Sequence, residues 1–410
     1  MVISEAQEPP YSQHAAGKPR HCLVAVSSHG LGHLSQVTPI INTISQGTYG
    51  HYRITHESHL DVVWTVRTSL PARQVRSRLT PYVDIDPGCD DFGMVMHDAL
   101  RINLAASLRN YASAHEGWDA KVDALARHLD DLQLDGVLAD VPYLTLAAAQ
   151  RASIPNVAIC SLNWADILSD CVRSNPVSLR ESNLNPAAFE RLLSQMYDAY
   201  DGAEAFIQPT PSMRMPSLSN TQSVGPVCEV PQPCSRSALM SLAREHGFDE
   251  QGWFILISMG GIPTKLDPSQ WPHWCLGRRI YYLVNAQLES SHPQLLSINE
   301  TYLDRHCLTF ASVFGACDLF VGKPGYGTFV EAACSGTPLL FLQRHDWPEA
   351  QVLVDWILRN GRAMAITIDQ MSGKSFETAM ATMLEQGRFT PMLPSGNEQA
   401  AMHVSNMLGL

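Results

Sequence analysis

The feature that most constrains this chain is a repeated unit: a short apolar run, a turn rich in Gly and Ser, then apolar residues at helical spacing. The first unit opens at His21–Ser27 (HCLVAVS) and passes through SSHGLGHLS at 27–35. It continues with Val37, Ile40, Ile41 and Ile44, and Gly47 suits the stop of a helix. Asp61–Val66 (DVVWTV), Leu134–Asp140 (LDGVLAD) and Asn156–Ser161 (NVAICS) read as strands, the last two flanking the helical stretch TLAAAQRAS. Residues 97–133 fit one or two helices. Strands alternating with helices predict a parallel sheet covered on both faces.

The pattern stops and then starts again. Gln208–Ser235 carries six prolines and little charge, so it reads as a linker holding one short strand. Beyond it, Trp253–Ser258 (WFILIS), Arg279–Val284 (RIYYLV), Asp318–Val321 (DLFV) and Pro338–Leu342 read as strands, with a short helix at Gly327–Ser335. The expectation is α/β, with two Rossmann-like domains facing each other across a cleft. The boundaries we assign are a flexible tail at 1–20, an N-terminal domain at 21–210, a linker at 211–235 and a C-terminal domain at 236–390. Residues 391–410 form a final helix that could pack back on the N-terminal domain.

Composition agrees with that size. With 410 residues, 45% of them apolar and 17% charged, the chain can bury the cores of two or three domains. A net charge of −12 argues against nucleic acid as a partner. None of the ten cysteines forms a C-x2-C pair and most sit in apolar runs, as buried thiols do in a reducing compartment. The first twenty residues lack the apolar core of a secretory signal. No apolar run reaches the roughly 18 residues of a membrane span. A cytoplasmic protein is expected, and this composition still permits peripheral membrane contact through a small apolar patch.

Four turns could carry chemistry. In the first, Gly30 and Gly32 lie between strand and helix, where backbone can approach a ligand and a helix N-terminus favours an anion. Ser35 stands where a dinucleotide fingerprint needs its third glycine, which argues against NAD. His33 could act there as a general base, or could simply cap or pack the turn. His29 and His33 are four apart, but no third metal ligand is evident, so no metal is expected.

The second is Gly322–Gly336 (GKPGYGTFVEAACSG). Gly325, Tyr326, Gly327 and Thr328 offer N–H groups and a hydroxyl to a diphosphate, and Glu331 a carboxylate to sugar hydroxyls. The bland alternative is a Gly-rich turn with Glu331 complementing the helix dipole. Lys323 stands out because the chain holds only five lysines. In the third, Gln343–Gln351 (QRHDWPEAQ), Glu349 and Gln351 follow the end of a strand, where a doubly wound sheet places ligand contacts. The fourth is MGGIPT, with Gly260 and Gly261. Asp84-Ile85-Asp86 has the D-x-D form but stands beside Pro87-Gly88, which favours a turn.

Three stretches together carry a resemblance: SSHGLGHLSQVTPIINTI, DGVLADVPYLTLAAAQRASIPNVAICSLNWADIL and PGYGTFVEAACSGTPLLFLQRHDWPEAQ. They resemble GT-B glycosyltransferases of the MurG-type and UDP-glycosyltransferase groups, and are similar to the glycosyltransferase-like N-terminal region of plant arabinokinase. The resemblance spans most of residues 22–360 and is thin between 165 and 250. It implies that His33 is the loop histidine of the family, a general base in some members. Gly327 and Thr328 then start the diphosphate-binding helix, Glu331 holds the donor ribose, and Glu349 and Gln351 read the donor sugar. Gly260 and Gly261 face the phosphates. Asn163 and Trp164 sit where the arabinokinase-like region has an Asn-x-x-Trp pattern, here with the two residues adjacent, and with His29, Gly30, Gly32 and Asp140 they fall on the cleft or acceptor side.

The implied activity is metal-independent, His-assisted sugar transfer from a nucleotide-sugar substrate, UDP-linked, to an acceptor that the motifs leave unnamed, with no further cofactor. The family leans towards inversion. Two other readings stand beside it: a non-catalytic nucleotide-sugar-binding module, and a GT-B-fold epimerase with Asp90, Asp91 and Asp140 as its acidic candidates.

Overall fold

A computed structural model describes residues 19–49, 52–53, 62–88, 90–229, 235–260, 266–285 and 292–410. Most of the tail at 1–20, and Gly261 with the rest of the turn that follows Gly260, lie outside the described residues. Two seven-stranded sheets organise the chain. The first is built from β1 (Arg20–Val26), β2 (Val62–Thr68), β3 (Val83–Pro87), β4 (Gly136–Asp140), β5 (Asn156–Ile159), β6 (Phe206–Pro209) and β7 (Thr221–Val224). Its order is β3-β2-β1-β4-β5-β6-β7, and every pairing is parallel.

The second contains β8 (Trp253–Ser258), β9 (Trp274–Cys275), β10 (Arg278–Val284), β11 (Leu295–Ser297), β12 (Leu319–Gly322), β13 (Leu339–Leu342) and β14 (Ala363–Ile366). Its main path is β9-β10-β8-β12-β13-β14, with β11 also on β10 and only β9 antiparallel. Each sheet therefore runs outward both ways from its first strand. That reversal creates a crevice at the carboxyl ends of β1 and β4 in one sheet, and of β8 and β12 in the other.

Burial follows from covering both faces. Along β1, Cys22, Val24 and Val26 enter one apolar cluster while Leu23 and Ala25 enter another. In β8, Phe254 and Leu256 face one core and Ile255 and Ile257 the other. Period-two alternation with both faces apolar is what a parallel sheet between helices requires. One departure from the sequence reading matters. The Asp84–Asp86 triplet lies on β3, not in a turn, and Asp86 pairs with Arg67 and His128. The short strand inside the proline-rich stretch is β7, the edge of the first sheet.

Six helices matter for the site: α1 (Gly32–Gln46), α2 (Tyr143–Arg151), α3 (Trp164–Ser174), α4 (Tyr326–Ser335), α5 (Ala350–Asn360) and α6 (Gly396–Leu408). α6 closes the chain against α1 and the first sheet, placing Ala400, Ala401, Val404 and Leu408 in the cluster with Val24 and Ile41. Leu408 lies so close to β4 that a Cβ on Gly136 would stand 3.1 Å from its methyls. Leu408→Ala should therefore cost about 2–5 kcal/mol, read as a lower urea midpoint. A loss under about 0.5 kcal/mol, the level of a surface substitution, would show that α6 does not hold this sheet.

Candidate functional site

The loops leaving β1, β8, β12 and β13 converge on one cleft of about 940 Å³ counting the open solvent at its mouth. Its first wall is the β1–α1 turn, anchored where Ser27 N–H donates to the Asp140 carbonyl at 2.7 Å. Gly30 has φ +82°, and a Cβ there would stand 3.2 Å from the Gly260 carbonyl of the second sheet's turn. A side chain would be strained by the backbone angle and would crowd the facing loop.

His33, in the first turn of α1, is 5% exposed and lines the cleft. Its Nδ1 lies 2.8 Å from Asp140 Oδ1. The pairing follows from register, because Val26 at the end of β1 sits opposite Asp140 at the end of β4. Burial works against the charged imidazolium. The Asp140 charge and hydrogen bond outweigh that, Asp91 and Glu349 add to them, and the His33 pKa is raised. Nε2 has no hydrogen bond among the described residues. A ring held at Nδ1 by a buried carboxylate, with Nε2 unengaged, is arranged to accept a proton.

His29 is a different kind of histidine. Its ring stacks on Trp347 at 5.6 Å with a 6° interplanar angle, and Trp164 meets it edge-on at 5.4 Å. Burial first, then His33, Lys323 and Arg344, holds its pKa well below the usual range, so the ring is neutral. Gly93 has φ +62°, and a Cβ there would come within 2.5 Å of the His29 ring. Asp91 lies behind both histidines, accepting from Ser27 Oγ at 2.8 Å and Trp164 Nε1 at 2.7 Å. Burial pushes Asp91 up to about 6.

The opposite wall starts at α4. Its N-cap, Gly325, gives no side-chain cap, and the first turn holds no acidic residue, so the N–H groups there are open to an anion. Gly327 faces Ser35 across the cleft, with a built Cβ 3.4 Å from Ser35 Cβ. Lys323 crosses Gly260, where a Cβ would lie 3.0 Å from its Cε. Among the described residues Lys323 has neither an ion pair nor a hydrogen bond. Burial first, then Arg344, pulls it down to about 7, with Glu349 opposing. Glu331 is pushed up to about 7 by burial, with Arg78 pulling the other way. Glu349 is 4% exposed and accepts from Ser161 Oγ at 2.7 Å and Trp347 Nε1 at 3.1 Å, tying the two sheets' loops together.

Of the residues singled out from sequence, His29, Gly30, Gly32, His33, Gly260, Gly325, Tyr326, Gly327, Thr328, Glu331 and Glu349 line this cleft. Tyr326 contributes little side-chain chemistry, because its hydroxyl accepts from Val227 N–H at 2.9 Å and donates to the Thr210 carbonyl at 3.3 Å. Asp140, Asn163 and Trp164 are fully buried behind the wall. Asn163 is the N-cap of α3, accepting from Asp166 N–H at 2.8 Å. Gln351 departs from its expected place: α5 starts at Ala350, so Gln351 lies on its outer face, exposed, and donates to Asp355 at 2.7 Å.

Each of the acidic residues considered for an epimerase holds a protein group. Asp90 holds Arg67 and Thr145, while Asp91 and Asp140 hold Trp164 and His33. Sequence reasoning missed Arg344 and Trp347 as site residues, and no spacing rule marks them; it singled out Asp91 only for the epimerase reading. Among the described residues, the ligand atoms of His33, Asp140 and Cys160 lie within 4.8 Å of one another and could in principle hold a metal. Burial, with Asp140 nearby, holds the Cys160 thiol well above its ordinary pKa, which opposes a metal-binding thiolate.

No protein-family model matches this chain. L-arabinokinase of Arabidopsis thaliana is 23% identical over 337 residues, covering 80% of this chain and 28% of that protein. The chain thus spans little more than a quarter of the curated relative it matches. Among solved structures, Arabidopsis thaliana UGT89C1 complexed with UDP has a TM-score of 0.54 at 13% identity, covering 96% of this chain and 100% of that one. The calicheamicin glycosyltransferase CalG4 gives 0.53 at 15%, covering 96% and 99%. The glycosyltransferase SnogD from Streptomyces nogalater gives 0.50 at 14%, covering 96% and 95%. The fold is that of the GT-B glycosyltransferases, two Rossmann-like halves across a cleft.

Proposed function

We propose that the chain transfers a sugar from a UDP-linked donor to an acceptor hydroxyl, without a metal ion, in the cytoplasm. One observation carries this reading. The uncapped N-terminus of α4, with Lys323 beside it, faces the His33–Asp140 pair across the cleft. An anion seat opposite a proton acceptor is what displacement of a nucleoside diphosphate requires.

The chemistry follows from those two walls. The acceptor oxygen attacks the anomeric carbon as the bond to the diphosphate breaks. His33 Nε2 takes the hydroxyl proton, and Asp140 stabilises the imidazolium formed. The diphosphate leaves with its charge met by the N–H groups of α4, the Thr328 hydroxyl and Lys323. Glu331, one turn along, accepts from ribose hydroxyls. Ser161 and Glu349 bring the two loops together over the site, which limits water and so hydrolysis of the donor.

The test is thermal unfolding of the purified chain against nucleoside diphosphates and nucleotide sugars, with and without EDTA. UDP at 100-fold its Kd should add about 2.7 kcal/mol of stability, unchanged by EDTA. No shift with any nucleotide would sink the reading. The match to one quarter of L-arabinokinase supports a second reading, a binding module without turnover. Stabilisation by a UDP-sugar without hydrolysis or transfer across an acceptor library would favour it.

No helix of the described residues is long and apolar enough to cross a membrane.

A further inference from the structure

One strongly basic group in the cleft is not used by the chemistry above. Arg344 follows β13, lines the cleft, and its side chain is 2% exposed. Its guanidinium carbon lies 4.0 Å from the centre of the Trp347 ring, the ring that stacks on His29. Its Nε is buried with no hydrogen-bond partner, and the contact of Nη2 is the Met96 sulfur at 3.7 Å. The Asp346 carboxylate is 3.8 Å from Nε, beyond hydrogen-bond reach, and its other oxygen accepts from Ile102 N–H at 2.5 Å. Burial lowers Arg344 to about 10, with Asp346 and Glu349 opposing, so the group is still charged at neutral pH.

A buried guanidinium with open donors is costly unless a partner arrives. Its planar fork matches a carboxylate in bidentate geometry, and the Trp347 face beneath it fixes the plane. Two features favour a carboxylate over a phosphate. Glu349, itself buried at the cleft wall, would repel a dianion more than a monoanion. The open anion seat for a diphosphate already exists at α4, on the loop after a different strand. Arg344 shares the aromatic wall with His29 while lying near enough to Lys323 to lower its pKa, so one ligand could reach both that seat and Arg344.

We infer that Arg344, supported by Trp347, receives the carboxylate of an acidic sugar, so that a uronic acid unit is the substrate class of this cleft. The inference rests on the transferase reading, and the carboxylate belongs either to the transferred sugar or to the acceptor.

Calorimetric titrations of the full chain separate the cases. UDP alone tests the transferase reading, and the far-UV circular dichroism and thermal midpoint of each variant report whether it is folded. UDP-glucuronate and UDP-glucose are compared next, and then free glucuronate and glucose on the UDP-loaded protein, or on the unloaded protein if UDP does not bind. The acidic ligand of one pair should bind about 10- to 100-fold more tightly than its neutral counterpart, the worth of hydrogen bonds between charged groups.

Arg344→Gln should abolish that preference, and Arg344→Lys, which keeps the charge but not the fork, should retain part of it. A preference in the nucleotide-sugar pair assigns the carboxylate to the donor. A preference in the free-sugar pair alone assigns it to the acceptor. Three results would each overturn the inference: no acidic preference in either pair, a preference untouched by Arg344→Gln, or equal weakening of UDP and UDP-glucuronate in that variant. The last would assign Arg344 to the diphosphate. Failure of UDP to bind counts against the transferase reading alone.

Discussion

Replacing His33 by alanine should slow sugar transfer by about 10²- to 10⁴-fold while UDP still binds, because the lost group serves the acceptor's proton and not the diphosphate. The expectation rests on where the ring is held. Its Nδ1 is fixed by a carboxylate that is itself fully buried, and its other nitrogen is unengaged among the described residues. Asp140 also sets the pH at which the base works. His33 must be neutral to accept a proton, and Asp140 raises its pKa above the ordinary 6.5.

Activity should therefore rise with pH through that raised value. In Asp140→Asn the acid limb should move to lower pH while the maximal rate falls, since the imidazolium loses its counter-charge. Turnover is followed by UDP release over pH 5.5–9. His33→Ala at full rate would remove the base assignment, and an acid limb unmoved in Asp140→Asn would remove the coupling.

Lys323→Met should weaken UDP binding by about 10- to 100-fold near neutral pH, as expected for a buried charge–charge hydrogen bond. Burial holds the Lys323 amine near 7, and an arriving diphosphate favours its charged form. Binding above pH 7 must therefore take up a proton. Wild-type affinity should fall by up to about tenfold per pH unit above 7, until the bound-state pKa is reached.

Glu331 supplies the other limb. Burial raises it to about 7, and only its ionised form accepts from both ribose hydroxyls, so affinity should climb as pH rises towards 7. Calorimetry should then find the tightest UDP binding near pH 7. Lys323→Met should lose the alkaline limb and keep the acid one. A flat wild-type profile from 7 to 9, or undiminished binding by the variant at pH 6.5, would contradict this account.

How much of this was legible in the sequence differs from residue to residue. Glycines after apolar runs marked the turns at Gly30, Gly260 and Gly325, because a strand-to-helix connection leaves its signature within a few residues. His33 and Asp140 each drew notice alone, but their contact joins positions 107 apart and depends on β1 lying beside β4. Gln351 matched a motif by spacing, yet the helix begins one residue earlier and turns it outward. Asp91 drew notice only as one of three acidic candidates, and Arg344 carried no local signal. One is defined by the indole and hydroxyl that reach it, the other by the donors it lacks partners for.

The sequence by itself determined the α/β alternation, its restart after the proline-rich stretch, and the Gly-lined turns. These depend on short-range steric rules and on which side chains can be buried between helices. The tertiary structure decided which turns face one another, which histidine holds a carboxylate and which holds an aromatic ring, and where an arginine is left under-paired. Such properties depend on electrostatic surroundings assembled from distant segments, and a charge takes its meaning from the neighbours and the solvent that folding leaves around it.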